Sequence, residues 1–212
     1  MSSISIIGTG NMARAIGALA VVGGNTVEVI GRHRSKAADL ATTLGDSTTT
    51  GEFGAAPAGD IVIVALRYAD VVPVITQYGN ALADKVIVDI SNPFNADADG
   101  LALPADTSIA QEVAKAAPAG ARVVKAFNTV FASVLADGAS LEGRKVTVFV
   151  AADDAAAKDI VAQLARSAGF DVIDAGALKN ARYLEPLAGL NIYLGYGAGQ
   201  GTAIAPVWIR KA

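Results

Sequence analysis

The chain of 212 residues contains no cysteine, a single histidine (His33) and a single tryptophan. Without a thiol, the protein can have no cysteine nucleophile, no disulfide framework and no cysteine-ligated metal. One imidazole also excludes a zinc site built from several histidines, and any Ser-His-Asp arrangement has to use His33. If the protein is an enzyme, we therefore expect a bound cofactor to supply the difficult part of its chemistry.

Charged residues are also scarce, at 17%, whereas hydrophobic residues make up 52% of the chain and favour a large core. The formal net charge of −3 argues against nucleic acid or an anionic membrane as the main partner. The apolar runs 13–22 and 61–66 are interrupted or too short to cross a bilayer, and no signal-peptide pattern opens the chain. We expect a soluble cytoplasmic protein whose partner is a small molecule, with no nucleic acid and no membrane involved.

Short β-branched runs alternate with alanine-rich segments of helical length, which predicts an α/β fold with a doubly wound, mostly parallel sheet. The strands are nearly continuous in apolar residues, as expected when helices cover both faces of the sheet. We predict strands at 4–7, 27–30, 61–66, 86–90, 123–127, 146–150 and 172–173. We predict helices at 11–22, 35–44, 69–82, 108–117 and 155–168, with Ser35 and Asp154 as N-caps and with Gly45 and Gly169 following helix ends.

The rhythm changes at Leu178, where a helix is predicted from Ala181 to about Leu194, followed by a glycine-rich tail. We assign residues 1–177 to a Rossmann-type nucleotide-binding domain and residues 178–212 to a small helical cap packed on the same body. Four apolar side chains of the cap could leave exposed surface and support a homodimer, namely Ile192, Tyr193, Tyr196 and Trp208. Packing on the chain's own sheet is the alternative.

The strongest local motif is Gly8-Thr9-Gly10-Asn11-Met12-Ala13, a G-x-G-x-x-A pattern where the first strand ends and a helix begins. Gly8 permits the tight turn, Gly10 lets the backbone approach a pyrophosphate, and Ala13 allows close packing of helix on strand. The pyrophosphate would lie at the positive end of the helix. A structural turn without a ligand is the alternative. The predicted cofactor-binding residues here are Gly8, Thr9, Gly10, Asn11 and Met12.

The end of the second strand indicates which dinucleotide binds. A site for NAD usually places Asp or Glu there, to accept a hydrogen bond from the ribose 2′-hydroxyl. This chain instead has Arg32-His33-Arg34-Ser35-Lys36, with no acid until Asp39. A guanidinium can grip a 2′-phosphate with two hydrogen bonds and stack on adenine, so the segment predicts NADP. His33 then lies at the phosphate end, far from hydride transfer. A solvated basic turn is the alternative.

Polar or bulky groups follow three further strand ends, and in such sheets ligands lie across the carboxyl ends of the strands. Asn92, Asn128 and Thr129 could bond the ribose or carboxamide of a nicotinamide, as could Ser91. Leu66 and Phe127 could pack on its ring. We place Arg67, Tyr68 and Pro93 near the second substrate. As alternatives, residues 92–93 are a common turn signal, and residues 128–129 could cap the next helix.

A general acid is not evident in this crevice. Lys125 and Asp89 lie within strands and are predicted to point away from it. Lys179, Arg182 and Glu185 lie on the late helix, where Arg182 could bind an anionic substrate. A charged helix face is normally solvated, which is the alternative for these three residues.

Taken together, the motifs resemble the coenzyme F420-dependent NADP oxidoreductases and the related oxidoreductase domain of six-transmembrane metalloreductases. The resemblance rests on the motif at 8–13, on Gly31-Arg32-His33-Arg34 and Asn92-Pro93, and on the segments 125–129 and 174–182. It implies an NADP-binding fold whose nicotinamide faces a deazaflavin (F420) or flavin ring, with residues 127–129 near the nicotinamide and Arg182 near the second ring. Members that act on F420 can carry histidine where this chain has Asn128.

Two other functions stay open. An NADPH-dependent reductase of a small carbonyl or imine compound would need a proton donor, which Tyr68, Tyr193, Tyr196, Lys179 or a water could supply. A sensor or partner protein that binds NADP(H) without catalysis would need none. The scarcity of proton-transferring side chains favours direct hydride transfer between two rings over acid-assisted reduction.

Overall fold

A computed structural model of the protein describes residues 2–95 and 100–209. Ten strands are present in that part of the chain: β1 (Ser3–Ile7), β2 (Thr26–Ile30), β3 (Thr48–Gly51), β4 (Ile61–Val64), β5 (Val86–Asp89), β6 (Arg122–Lys125), β7 (Ser140–Leu141), β8 (Arg144–Lys145), β9 (Thr147–Ala152) and β10 (Asp171–Asp174). Eight of them form one sheet in the order β10-β9-β6-β5-β4-β1-β2-β3, while β7 and β8 form a separate hairpin. The predicted doubly wound, mostly parallel sheet is confirmed.

The sheet is parallel from β3 to β6, and one antiparallel step joins β6 to β9 through the pair Val124 and Ala152. The strand β1 lies between β2 and β4, where Ile6 is opposite Val29 of β2 and Ile63 of β4. Because the chain runs outward from β1 to β3 and then returns to β4, the carboxyl ends of β1 and β4 border a crevice.

Seven helices cover the sheet in the described residues: α1 (Asn11–Val22), α2 (Arg34–Leu44), α3 (Tyr68–Tyr78), α4 (Ile109–Ala116), α5 (Ala132–Ala136), α6 (Ala155–Ser167) and α7 (Ala181–Ile192). They lie on both faces, and the residues of β4 show why. Ile61 and Ile63 join a core with α1, α2, α5 and α6, whereas Val62 and Val64 join a core with α3 and α4. Successive side chains of a strand point to opposite faces, so a strand buried on both sides is apolar throughout.

Several predicted boundaries are wrong. The strands predicted at 61–66, 86–90 and 123–127 end earlier, at Val64, Asp89 and Lys125. The chain leaves the sheet there to form the loops that border the crevice. Helix α2 begins at Arg34 and its N-cap is His33, so Ser35 is not the N-cap. The N-cap at Asp154 is confirmed, because its carboxylate accepts a hydrogen bond of 2.7 Å from the Ala157 N–H.

Three elements have no counterpart among the predictions. The edge strand β3 contains three threonines and no large apolar residue, the hairpin of β7 and β8 has two residues in each strand, and α5 has five residues. None of them carries an apolar run or a helical repeat long enough to be recognised in a sequence.

The C-terminal segment packs on the sheet. Leu178 and Ala181 are buried in the core beside α4, and Leu184 packs with Phe149 of β9. Helix α7 continues into a wider turn at Tyr193–Gly197. Tyr193, Tyr196 and Trp208 are more than half exposed, and the homodimer stays a prediction. Residues 210–212 of the predicted cap lie outside the described residues. Among the described helices, none has the length and apolar character needed to cross a membrane.

Candidate active site

Two cavities lie at the carboxyl ends of the central strands, on either side of the start of α1. The Arg32 cavity, of about 350 Å³, extends toward β2 and is lined by Gly8, Thr9, Gly10, Ile30, Gly31, Arg32, His33, Lys36, Phe53, Ala65, Leu66, Arg67 and Asp70. The Asn128 cavity, of about 310 Å³, extends toward β5 and β6 and is lined by Asn11, Met12, Ile90, Asn92, Asn128, Thr129, Val130, Phe131, Ala132, Ala188, Asn191, Ile192 and Tyr196. Gly10 lines the first and Asn11 lines the second, so the two cavities lie along the crevice on either side of the start of α1.

The glycine motif builds the floor between the cavities. Gly8 has a φ of +132°, and a Cβ there would overlap the carbonyl oxygen of Ala65, so glycine is required at this position. Gly10 is the N-cap of α1, and a Cβ built on it would meet no atom within 4 Å. A phosphate group could therefore approach the start of α1 closely at Gly10, as phosphates do at helix N-termini.

Three of the predicted phosphate-binding side chains, Arg32, His33 and Lys36, line the Arg32 cavity. Arg34 lines a neighbouring space of about 670 Å³ together with Arg32 and Phe53. Ser35 is exposed in the first turn of α2, and it lines neither space among the described residues. The arrangement concentrates positive charge beside the second strand, which suits a phosphate group.

The sequence analysis did not predict several residues that line the Arg32 cavity, of which Asp70 and Phe53 have side-chain contacts there. Asp70, in the first turn of α3, lies 3.5 Å from a guanidinium nitrogen of Arg32, and Phe53 follows β3. The Phe53 ring meets the Tyr78 ring edge to face, with 5.7 Å between centroids. The carboxyl ends of β2, β3 and β4 bring Arg32, Phe53 and Asp70 to one cavity, and no local motif marks Phe53 or Asp70.

The Asn128 cavity is organised by side-chain amides. Asn128 Nδ2 donates to Asn92 Oδ1 at 2.9 Å, and Asn92 Nδ2 donates to the Asn128 carbonyl oxygen at 2.9 Å. Asn128 Nδ2 also donates to the Leu184 carbonyl oxygen at 3.1 Å, and Asn191 Nδ2 donates to the Thr129 carbonyl oxygen at 3.2 Å. These bonds join the loops after β5 and β6 to α7.

Two buried polar atoms of this cavity have no hydrogen-bond partner within the described chain, Oδ1 of Asn128 and Oγ1 of Thr129. Both side chains are at least nine-tenths buried. An unsatisfied buried polar atom is costly, and a ligand can supply the missing partner. The preceding residue, Phe127, has a φ of +59°, which is a strained conformation for a bulky residue and places the loop at the crevice.

Other predicted site residues are spread over the crevice and its surroundings. Leu66 and Arg67 line the Arg32 cavity, while Asn11 and Met12 line the Asn128 cavity. Phe127 and Pro93 are buried, and Tyr68 packs against the core beside α3. Arg182 lines neither cavity among the described residues, and its guanidinium lies 4.8 Å from the Tyr183 ring centroid.

Three charged side chains meet in the core beneath the Asn128 cavity. Lys125 Nζ lies 2.7 Å from Asp89 Oδ2 and 2.9 Å from Glu185 Oε1, and none of the three side chains is more than 2% exposed. The strand position of Lys125 and Asp89 agrees with the prediction that they point away from the crevice. A solvated position for Glu185 is wrong. Burial raises the pKa of Glu185 above its usual value, against the lowering effect of the Lys125 ammonium.

Known proteins share this arrangement of strands and motifs. Residues 3–93 match the family described as NADP oxidoreductase coenzyme F420-dependent. The F420-dependent NADP reductase of Methanocaldococcus jannaschii is 35% identical over 157 residues, covering 68% of this chain and 68% of that protein. The chain belongs to this family of NADP oxidoreductases.

Two further comparisons extend beyond the family match. A candidate F420-dependent NADP reductase of Arthrobacter sp. FB24 has a crystal structure that superposes with a TM-score of 0.86 at 28% identity, covering 99% of this chain and 100% of that one. The metalloreductase STEAP3 of Rattus norvegicus is 31% identical over 184 residues. That match covers 87% of this chain and 36% of the rat protein, so the chain spans about a third of that relative.

The residues present fit NADP(H), the cofactor of the family. The cations of the Arg32 cavity suit a phosphate, Gly10 opens the helix N-terminus, and the unpartnered atoms of Asn128 and Thr129 suit a carboxamide or ribose. The chain is an NADP-dependent oxidoreductase of this family.

Proposed function

We propose that the protein transfers a hydride between NADPH and the ring of a deazaflavin (F420) or flavin acceptor. The observation that supports this most directly is the lining of the Asn128 cavity. Tyr196 is the only titratable side chain among the described residues that line it, and the rest are amides, a threonine and apolar groups. Hydride transfer between stacked rings needs positioning and exclusion of water rather than a protein acid.

The proposal places NADPH along the crevice. Its 2′-phosphate would lie among Arg32, His33, Arg34 and Lys36, and its pyrophosphate at the start of α1. Its nicotinamide would lie in the Asn128 cavity, the only one of the two with unpartnered buried acceptors among the described residues. This direction follows the usual placement of a dinucleotide across the point where the strand order reverses.

When bound, the nicotinamide would supply the hydride from its C4 atom. The chain would orient it: the amides of Asn92 and Asn128 offer hydrogen bonds to the carboxamide, and Ile90 and Val130 exclude water. Productive geometry requires the two reacting carbons, or the carbon and the flavin nitrogen, to lie roughly 3–3.5 Å apart. No side chain has to accept or donate a proton at the reacting carbon, because the hydride carries both electrons.

Reduction of a small imine or carbonyl compound is the second candidate. It needs a proton donor close to the reacting atom, and Tyr196 is the one described residue of this cavity that qualifies. Its ring meets Phe131 edge to face at 5.6 Å, which leaves the phenol at the rim, where it is 69% exposed. Tyr68, Tyr193 and Lys179 line neither cavity in the described part of the chain.

Turnover separates the candidates. Purified protein is mixed with NADPH and, in separate reactions, with F420, FMN, FAD and a panel of imines and carbonyl compounds, while the nicotinamide absorbance is followed. Consumption with F420 or a flavin supports the proposal, and a primary isotope effect with NADPH deuterated at C4 would identify the hydride step. Tight binding of NADPH with no consumption in any reaction would contradict it and favour a sensor.

The variant Tyr196→Phe distinguishes the two chemistries. Under ring-to-ring transfer it keeps the rim ring and leaves turnover with F420 or a flavin within about threefold of the original protein. Under imine or carbonyl reduction it loses roughly 10²-fold or more, the usual contribution of a general acid. Tyr183→Phe is the matched control, because Tyr183 is similarly exposed and lines neither cavity in the described structure.

A further inference from the structure

The buried cluster of Lys125, Asp89 and Glu185 joins the elements that border the Asn128 cavity. Asp89 ends β5, Lys125 ends β6, and Glu185 belongs to α7. The cluster reaches a fourth element as well, because Glu185 accepts hydrogen bonds from the Ile109 N–H at 3.0 Å and the Ala110 N–H at 3.4 Å, at the start of α4. One cation therefore faces two carboxylates, and one of these carboxylates, that of Glu185, also lies at the positive end of a helix.

Ser91 is held by this cluster at every polar atom of its backbone and side chain. Its N–H and its hydroxyl donate to Asp89 Oδ1 at 3.0 and 2.6 Å, and its carbonyl oxygen accepts from Lys125 Nζ at 2.6 Å. The next residue is Asn92, which exchanges hydrogen bonds with Asn128. The position of Ser91 therefore fixes the backbone from which the Asn92 side chain extends.

The same cluster holds α7 against the other loop. Glu185 is anchored by Lys125 Nζ at 2.9 Å, and the residue before it, Leu184, accepts a hydrogen bond from Asn128 Nδ2. One and two turns further along α7, Ala188 and Asn191 line the Asn128 cavity. Lys125 therefore bonds Ser91, which precedes Asn92, and Glu185, whose neighbour Leu184 accepts from Asn128. It does not line the cavity itself.

Stability alone is a weak reason for such a cluster. Removing charges from water is costly, and replacing a buried ion pair with apolar side chains of similar volume is often neutral or stabilising. A cluster that joins two loops and a helix with charge-assisted hydrogen bonds instead restricts their geometry, as the supports of precise binding sites do.

We propose that Lys125 is a positioning residue: through Ser91 and Glu185 it orients the Asn92 and Asn128 amides that receive the nicotinamide. This inference rests on the proposed placement of the nicotinamide in the Asn128 cavity. It assigns to Lys125 an effect on one half of the cofactor only, because the Arg32 cavity is lined by residues from the opposite side of α1.

The test compares the dissociation constants of NADPH and of adenosine 2′,5′-bisphosphate, which lacks the nicotinamide, its ribose and the pyrophosphate link. The variant Lys125→Met/Glu185→Leu removes one positive and one negative charge. Asp89 keeps its bonds to Ser91 but loses its cation, so the variant should have a lower free energy of unfolding, and its folding is checked by circular dichroism before binding is measured. We expect this variant to fold, to bind NADPH about tenfold more weakly, and to bind the bisphosphate within twofold of the original protein. Tenfold is the upper end of the usual scale for one lost hydrogen bond between uncharged groups.

Glu185→Gln is the second variant, since it keeps the Lys125–Asp89 pair and changes one hydrogen-bond acceptor. A smaller loss of NADPH affinity, again without loss of bisphosphate affinity, is expected. Glu112→Gln is the control, because Glu112 forms an exposed ion pair with Lys115 on α4. It should change neither constant.

Equal loss of affinity for both probes would overturn the proposal, because a merely structural cluster would affect both halves of the site. Unchanged affinity for both would also overturn it. The test measures binding alone, so it can still be interpreted if the protein does not use F420 or a flavin as its acceptor. If the original protein bound both probes equally, the placement of the nicotinamide and the proposal would fail together.

Discussion

Asp70 Oδ2 lies 3.5 Å from a guanidinium nitrogen of Arg32, and both side chains line the Arg32 cavity. Arg32 is 61% exposed and Asp70 is 40% exposed, so water screens the pair and its contribution to stability is small. A 2′-phosphate bound in this cavity would compete with the carboxylate for the guanidinium. This geometry makes Arg32 the main candidate for discrimination between NADPH and NADH.

Arg32→Ala should weaken the binding of NADPH by about tenfold or more and leave the binding of NADH within about twofold. The reason is that a guanidinium–phosphate contact is a charge-assisted hydrogen bond, and NADH lacks the phosphate. Fluorescence titration of both cofactors measures the effect. Arg144→Ala, in the exposed hairpin of β7 and β8, is the matched control and should change neither. An equal loss for NADPH and NADH would contradict the assignment.

Asp70→Asn should strengthen the binding of NADPH by roughly two- to fivefold. The substitution removes a negative charge that competes with the phosphate for Arg32, and partly exposed charge pairs contribute on this scale. Calorimetric titration at low salt would measure the gain, which should shrink as salt screens the charges. A weaker affinity in the variant would mean that Asp70 supports the bound cofactor, and Asp39→Asn on the exposed face of α2 is the control.

Alanine at Gly8 should mainly lower stability, whereas alanine at Gly10 should mainly weaken cofactor binding. Gly8→Ala should lower the free energy of unfolding by about 1–3 kcal/mol, because Gly8 has a φ of +132° and a Cβ would overlap the Ala65 carbonyl oxygen. The free energy of unfolding of Gly10→Ala should lie within about 1 kcal/mol of that of the original protein. The φ of −83° at this position suits alanine, and the added Cβ meets no atom within 4 Å.

The Gly10 variant should nevertheless bind NADPH at least tenfold more weakly, because the methyl group occupies space that the pyrophosphate needs beside the helix N-terminus. Denaturant unfolding and cofactor titration of the same preparations would separate the two effects. Normal NADPH affinity in Gly10→Ala would place the pyrophosphate elsewhere.

The pH dependence of stability should reveal the buried Glu185. Burial raises the pKa of Glu185, so the folded state keeps this proton to a higher pH than the unfolded state does. The contribution of this group to the free energy of unfolding is therefore unchanged below the usual glutamate pKa and falls as pH rises from there through the raised pKa. The difference between the original protein and Glu185→Gln should fall over the same window.

For Glu112→Gln, the difference in unfolding free energy from the original protein should change with pH in the opposite direction. The hydrogen bond from Lys115, with a second from Thr107, lowers the pKa of Glu112, so its stabilising contribution is present above the usual glutamate pKa and is lost as pH falls through the lowered value. Unfolding free energies measured at closely spaced pH values would show both differences. A difference for Glu185→Gln that rises with pH would contradict the raised pKa.

The amino-acid sequence determined those features that depend on neighbours along the chain. The motif from Gly8 to Ala13 and the apolar strands could be recognised because a turn, a helix start and a two-sided burial each leave a pattern within a few residues. The basic segment from Arg32 to Lys36 indicated NADP for the same reason: its charges are consecutive, and the preceding strand places them at one edge of the sheet.

The tertiary structure decided which distant residues meet. Asp70 reaches Arg32, Asn92 pairs with Asn128, and Glu185 enters the core to meet Lys125, across separations of 38, 36 and 60 residues. The first two contacts exist because parallel strands bring their carboxyl ends to one edge of the sheet, and the third exists because α7 packs against the ends of β5 and β6. No local pattern records which side chains will face one another there. Burial then changes their chemistry: on a helix face Glu185 has the pattern of a solvated carboxylate, and only its enclosure by Lys125 and the start of α4 makes it part of the site's support.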